Sequence, residues 1–272
     1  MEDKQFQLAM REYRSLMAGV CPTTIGMDWV SDLYVHGTRH CVELADQYLP
    51  EKANVLDFGC GMGLITVLLG KLGYHVTGLD IDIGNQPEML AEAMEAPWGS
   101  MEVELEHAQC LTDCWSRLSC RFGNEFLAFD GKHIPLENNS LEGVLAHAVY
   151  EHVPHEQLPE MIDEINRVLR INGLFFVFRT PRKDSYLETL SNRLGLSTHE
   201  LIYNESEVET HVSEHGFRLV GSDVTDMLPS FPPFGLSFYN FLSPCLTRLD
   251  RFLLNTRLRK YAHHMALIFR KV

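Results

Sequence analysis

Asp57, Gly59, Gly61 and Gly63 stand at alternate positions within VLDFGCGMGLITVLL, residues 55–69, between an apolar run and a helix-like run. Glycine lets a ligand lie against bare backbone, because no side chain holds the ligand away. A dinucleotide-binding turn of the G-x-G-x-x-G type requires glycine at position 64, and that position is Leu64. Asp80 closes the next apolar run. A carboxylate at that place accepts hydrogen bonds from two ribose hydroxyls, and Asp57 lies beside the turn where a ligand ammonium would approach. The set suits a nucleoside with a cationic amino-acid tail better than a pyrophosphate.

A second concentration of reactive side chains is HAVYEHVPH, residues 147–155, with His147, Tyr150, Glu151, His152 and His155. Imidazoles titrate near neutrality and serve as general bases. A third group, His107, Cys110, Cys114 and Cys120, lacks the close Cys-x2-Cys pairs of structural zinc sites. It reads as helix-packed thiols, and no metal is expected.

The elements that must position these residues follow from apolar periodicity. After a helical N-terminal region to about residue 49, strand-like runs at 54–59, 75–81, 126–131, 141–149, 174–180, 217–225 and 263–272 are interleaved with helical patterns at 64–73, 86–121, 154–170 and 205–216. Such alternation predicts an α/β fold with a mostly parallel sheet covered by helices. Open sheets of this kind bind ligands at the carboxyl ends of their strands, so the glycine turn and residues 147–155 are expected to share one edge. Asn172-Gly173 is expected to stop the helix that precedes LFFVFRT.

VLDFGCGMG, VTGLDI, FDGKHIPLENNSLEGVLAHAVYEHV and EINRVLRINGLFFVFRTP occur in that order, and together they resemble the class I S-adenosylmethionine-dependent methyltransferases over residues 50–225 and the last strand. The resemblance implies a doubly wound, mostly parallel seven-stranded Rossmann-like sheet with S-adenosylmethionine as cofactor and S-adenosylhomocysteine as product. Implied cofactor contacts are Asp57, Gly59, Gly61, Gly63, Asp80, Ile81, Asp130, Gly131 and His147, with Asp130 facing the adenine amino group. Relatives commonly carry a Glu-His pair at the place of Glu151-His152, which makes His152 the first candidate base and His147 the second. Some quinone-pathway O-methyltransferases bind a divalent metal through a Glu three residues before that pair; Ala148 stands there. The Pro-Pro-Tyr motif of amino-methyltransferases acting on adenine or glutamine is replaced by His147-Ala148-Val149-Tyr150.

Composition narrows the acceptor. The 272-residue chain carries a net charge of −14, which disfavours a polynucleotide, since affinity for phosphate backbones comes mainly from Lys and Arg. The expected acceptor is a small apolar or amphipathic molecule, with oxygen slightly favoured. A protein or peptide side chain is the rival acceptor, and a non-catalytic cofactor-binding partner protein is the rival from outside the enzymes. Scattered cysteines, seven in all, and the charged N-terminus fit a cytoplasmic protein.

Three regions are expected: an N-terminal helical lid over 1–49, a core over 50–226 and 262–272, and an insertion over 227–261. In the insertion, Phe231, Phe234, Phe238, Tyr239 and Phe241 precede a helix started by Ser243-Pro244 with Leu246, Leu249, Phe252 and Leu253 inward. Arg248, Arg251, Arg257, Arg259 and Lys260 give it a basic face in an acidic chain. This segment is read as a substrate cap, a homodimer contact, or a peripheral membrane contact.

Overall fold

The computed structural model describes residues 3–18, 31–81, 101–194, 201–230 and 236–272, the side chains of 101–110, 194, 236 and 237 apart. Seven strands form one sheet: β1 (Asn54–Phe58), β2 (His75–Ile81), β3 (Glu125–Phe129), β4 (Leu141–His147), β5 (Leu169–Pro181), β6 (Phe217–Thr225) and β7 (His264–Lys271). Their order is β3-β2-β1-β4-β5-β7-β6. All neighbours pair in parallel except β7, which runs antiparallel to both β5 and β6. This is the α/β Rossmann-like sheet that the sequence predicts.

The described helices are α1 (Asp3–Met17), α2 (Asp32–Asp46), α3 (Leu64–Lys71), α4 (Met101–Phe122), α5 (Leu158–Val168), α6 (Tyr186–Leu194), α7 (Glu205–Ser213) and α8 (Leu236–Leu254). Successive strand residues point to opposite faces, so FFVF of β5 divides its phenylalanines and valine between two cores. Phe176 and Phe178 join a cluster with Phe6 and Tyr13 of α1, Val42 of α2, Leu68 of α3 and Leu118 of α4. Phe175 and Val177 join Ile162 and Ile165 of α5 and Val208 and Val212 of α7 on the opposite face. Burial on both faces explains why this strand reads as an unbroken apolar run.

Several boundaries move. β3 ends at Phe129, which leaves Asp130 and Gly131 in the turn that follows. β5 starts at Leu169, before Asn172-Gly173. The pair does not stop α5 but forms an excursion inside the strand: Asn172 takes φ 65°, and pairing with β4 shifts between Leu141 and Gly143. The expected helix over 86–121 is seen only from Met101, because 82–100 lie outside the described residues. Phe231 and Phe234 also lie outside them.

The helix of the insertion begins at Leu236 and runs through Pro244, so Ser243-Pro244 is not its start. Leu249 and Phe252 face outward, at 46% and 65% exposed, against the inward expectation. The buried positions are instead Tyr239, Ser243, Thr247 and Asp250. Among the described residues no helix is long and apolar enough to cross a membrane.

Candidate active site

Strand register places the reactive residues along one edge. Phe58 pairs with Leu79 and with Ala146, and His147 pairs with Phe178. Asp80, Gly59, His147 and Arg179 therefore follow one another across the carboxyl ends of β2, β1, β4 and β5.

The glycine turn connects β1 to α3. Its first two amides, of Gly59 and Cys60, donate to the Leu79 carbonyl at 2.8 and 3.0 Å, which ties the turn to β2. Gly59, Gly61 and Gly63 all have positive φ, at 71°, 48° and 71°. A β-carbon at Gly63 would meet Phe126 at 2.7 Å, whereas one at Gly61 would meet none of the described residues within 4 Å. Gly63 is thus small for packing. Among the described residues Gly61 borders open space, where a ligand could approach the backbone.

Asp80 joins the turn to the tip of β2. The Gly61 N–H donates to its Oδ2 at 2.6 Å, and the Ile81 N–H donates to its Oδ1 at 2.8 Å. Both carboxylate oxygens are thereby fixed by backbone donors at the tip of β2. A β-carbon on Gly131 would stand 3.8 Å from Ile81 Cδ1, so the Asp130 turn lies against the same β2 tip. Asp130 is exposed and its Oδ1 accepts the N–H groups of Lys132 and His133 at 2.9 and 2.8 Å. Those backbone bonds hold its carboxyl below the usual range.

Asp57 does something the spacing did not reveal. It is 1% exposed, and its Oδ2 accepts both the Thr66 N–H at 2.9 Å and the Thr66 hydroxyl at 2.6 Å. This carboxylate therefore satisfies an early amide of α3, where backbone donors lack intrahelical partners. Burial pushes Asp57 up to about 7, against the opposing pull of the two Thr66 bonds.

Two side chains that sequence reasoning passed over also hold the turn. Tyr13 of α1 donates its hydroxyl to the Met62 carbonyl at 2.8 Å, and Trp115 of α4 donates its indole N–H to the Gly61 carbonyl at 2.8 Å. Trp115 stacks on Phe126, with ring centroids 5.8 Å apart and planes 9° off parallel. Tyr13 lies on the buried face Phe6, Met10, Tyr13, Met17. A tyrosine on that apolar face was a legible sign of a buried hydroxyl seeking an acceptor.

Beyond β4 the chain turns sharply. Ala148 has φ 55°, and a short 3-10 turn, Tyr150–His152, follows. Glu151 is buried there and His152 is exposed. His155 packs edge-on to His211, which also meets the Tyr150 hydroxyl at 3.1 Å. His147 is 9% exposed, lies edge-on to Tyr34 of α2, and has no hydrogen-bond partner at Nε2 among the described residues. Burial, then the nearby Arg179 charge, pull its imidazole down to about 3, so it is neutral at physiological pH.

Arg179 anchors the floor beside it. The guanidinium is 2% exposed, lies 4.3 Å over the Tyr34 ring, donates to Ser230 Oγ at 2.9 Å and pairs with Asp226 at 3.5 Å. Asp226 also meets His264 Nδ1 at 2.7 Å. Burial alone would raise the Asp226 carboxyl, but Arg179 and His264 override it and hold it far below the usual range. Ala148, Arg179 and Asp226, at or just past the ends of β4, β5 and β6, all take left-handed backbone, at φ 55°, 58° and 61°. Such non-glycine conformations are disfavoured by about 1–2 kcal/mol each and concentrate at functional sites. A lone arginine in the apolar run FFVFRT was the sequence signal for this network.

Among the described residues no three His, Cys, Asp or Glu side chains are grouped to hold a metal ion. Cys114 is buried and Cys120 is exposed. The side chains of His107 and Cys110 lie outside the described set.

Residues 56–177 match the methyltransferase domain family. That match gives residues 56–177 a methyltransferase domain, and the seven-stranded sheet with its glycine turn shares the fold of S-adenosylmethionine-dependent methyltransferases. The chain is similar in fold to the 1,6-didemethyltoxoflavin-N1-methyltransferase of Burkholderia thailandensis, solved with 1,6-didemethyltoxoflavin and S-adenosylhomocysteine bound. That likeness has TM-score 0.53 and 16% identity over 89% of this chain and 81% of that one. An S-adenosylmethionine-dependent methyltransferase from Archaeoglobus fulgidus gives TM-score 0.54 and 15% identity, over 90% of this chain and 97% of that one. Local sequence likeness extends to the ribosomal protein L11 methyltransferase of Campylobacter hominis, 41% identical over 46 residues. That stretch covers 17% of this chain and 15% of the relative's length.

Proposed function

We propose that this protein transfers a methyl group from S-adenosylmethionine to a small apolar or amphipathic acceptor, with an oxygen as the receiving atom. The observation that carries the cofactor half is the open face of Gly61 beside a carboxylate, Asp80, that is bonded to the Gly61 amide. In this reading Asp80 takes the ribose hydroxyls, the Ile81 and Gly131 backbones border the adenine, and Asp130 faces its amino group. Gly59, Gly61 and Gly63 let the amino-acid tail lie on the turn, and Asp57 supplies negative charge beneath it. The sulfonium of the bound cofactor supplies the leaving group.

The chain's own task is alignment, which contributes as much as about 7–11 kcal/mol when geometry is well fixed. His147, neutral and buried beneath Tyr34, orients the acceptor by hydrogen bonding and is a poor store for a proton. His152 is exposed on the adjoining turn and can pass a proton to water. It is the better base, with Glu151 buried beside it. Tyr34 of α2, edge-on to His147 and stacked with Arg179, narrows this edge and favours a small acceptor, and the charge of −14 argues against a nucleic acid. A protein side chain is the second reading, favoured by the local likeness to ribosomal protein L11 methyltransferases.

Calorimetric titration with S-adenosylmethionine and S-adenosylhomocysteine, with NADH as a control, tests the cofactor half. Micromolar binding of either adenosyl ligand with none of NADH is the expected result; no adenosyl binding by folded protein overturns the reading. An acceptor screen of phenols, lipid-like alcohols and peptides then separates the two acceptor classes, and binding without any turnover leaves a non-catalytic partner protein.

A further inference from the structure

α8 is amphipathic with the wrong side out. Tyr239, Ser243, Thr247 and Asp250, spaced four, four and three residues apart, form its buried face. Three of them make polar contacts there: the Tyr239 hydroxyl donates to the Pro229 carbonyl, Ser243 Oγ donates to Asp32 Oδ2 at 3.1 Å, and Asp250 Oδ1 accepts the Leu228 N–H at 2.7 Å. The outer face carries Phe241, Leu249 and Phe252, at 78%, 46% and 65% exposed, in line with exposed Cys245 and Arg248. A surface helix ordinarily buries its apolar stripe and exposes its polar one. Apolar side chains gathered on an outer face mark an interaction surface.

Charge identifies the partner. From 236 to 261 the only acidic residue is Asp250, which is buried, whereas Arg248, Arg251, Arg257, Arg259 and Lys260 are all exposed. Arg259 is paired with Asp223 at 2.8 Å. Leu258 and Tyr261, 47% and 43% exposed, continue the apolar surface beyond the helix. Phenylalanine and leucine bordered by arginine on a helix without exposed acids complement an anionic lipid surface: the rings enter the acyl boundary and the guanidinium groups meet the phosphates. A second copy of this chain in a two-fold contact would set the same arginine-bordered stripe against itself, like charge facing like.

We infer that α8 and the turn after it are a docking surface for an anionic membrane. The segment leaves the sheet after β6 and returns at β7, both at the carboxyl edge that carries Asp80 and His147, and it packs on α2 through Asp32 and Asn240. Docking therefore sets that edge near the lipid, where an amphipathic acceptor would reside. Membrane binding itself does not depend on the methyl-transfer reading.

The full chain is mixed with phosphatidylglycerol vesicles and, separately, with phosphatidylcholine vesicles, sedimented, and followed in parallel by light scattering without lipid. Expected is a monomer that partitions onto phosphatidylglycerol, with binding weakened at high salt and on phosphatidylcholine. Phe241→Ser with Phe252→Ser, which removes the apolar anchors, and Arg248→Glu with Arg251→Glu, which reverses the charge facing the phosphates, each lower partitioning about tenfold or more. These positions are exposed, so the variants should melt as the parent does. No vesicle binding, equal binding to both lipids, or a dimer that the phenylalanine variant dissociates would each overturn the inference; cofactor affinity, measured separately, would be untouched by any of them.

Discussion

A β-carbon at Gly59 would stand 2.4 Å from Val149 Cγ2, so the loop after β4 closes directly onto the first glycine of the turn. Gly61, two residues on, has none of the described residues within 4 Å of the same imagined atom. The two glycines thus answer to different demands. Gly59→Ala should lower unfolding free energy by more than about 2 kcal/mol, from left-handed strain plus the clash, and adding Val149→Ala should return only the steric part. Gly61→Ala should lose about 1 kcal/mol of stability yet weaken S-adenosylhomocysteine more than tenfold in calorimetry. Equal affinity of Gly61→Ala and parent would remove this face from the ligand site.

Trp115 reaches the turn from α4 with one hydrogen bond, to the Gly61 carbonyl. Trp115→Phe keeps the ring stacked on Phe126 but drops the N–H donor. A net hydrogen bond contributes about 0.5–1.5 kcal/mol. Cofactor affinity should therefore fall between about twofold and tenfold, with kcat less affected than KM for the cofactor. In the parent, Trp115 fluorescence should change on cofactor binding in proportion to occupancy; a signal unchanged by saturating ligand would show that the turn does not sense it.

Asp57 links cofactor binding to protons. Its native carboxyl titrates at about 7 because it is buried, whereas an unfolded aspartate titrates near ~3.9. The native state therefore binds more protons between those values, so this group's contribution to stability is full below about 4 and declines as pH rises through about 7. Asp57→Asn, still able to accept from Thr66, should flatten that slope in denaturation measured across pH. If the ligand ammonium approaches this carboxyl, it favours the charged form. Binding near pH 6.5 should then release protons, detectable as a dependence of calorimetric enthalpy on buffer ionisation heat, and Asp57→Asn should abolish it.

Much of this architecture was legible because it is local or periodic. The glycine turn, Asp80 and the apolar run of β5 are set by residues adjacent in sequence, and the sheet followed from their alternation with helices. What escaped was set by distant packing. Asp57 gave its carboxylate to Thr66 nine residues later, and Tyr13 and Trp115 reach Gly61 and Met62 from helices whose sequences do not reveal which loop they cross. α8 was misread for a related reason. Periodicity reveals a stripe but not the side of the helix that faces the protein, and here Tyr239, Ser243 and Asp250 found partners inside.

Arg179 and Asp226 form an ion pair with both side chains 2% exposed. Removing one member of such a pair strands a buried charge, at a loss of about 3–5 kcal/mol. Arg179→Met and Asp226→Asn should each fall in that range by chemical denaturation, while Arg179→Met with Asp226→Asn should be more stable than the sum predicts. Strict additivity would show that the two charges do not support each other.

His152 and His147 separate two ways of helping a methyl transfer. A general base typically contributes about 10² to 10⁴ in rate, so His152→Ala should lower kcat by that factor and leave cofactor affinity intact. His147 is neutral down to about 3, so it contributes no limb to the pH–rate profile near neutrality. Its loss should raise KM for the acceptor more than it lowers kcat, and His147→Gln, which keeps a hydrogen-bonding end, should recover part of the loss. A normal rate for His152→Ala at saturating acceptor would remove it from the base role. If His147→Ala lowered kcat as far as His152→Ala does and left KM for the acceptor unchanged, the proton would have to be assigned to the buried imidazole.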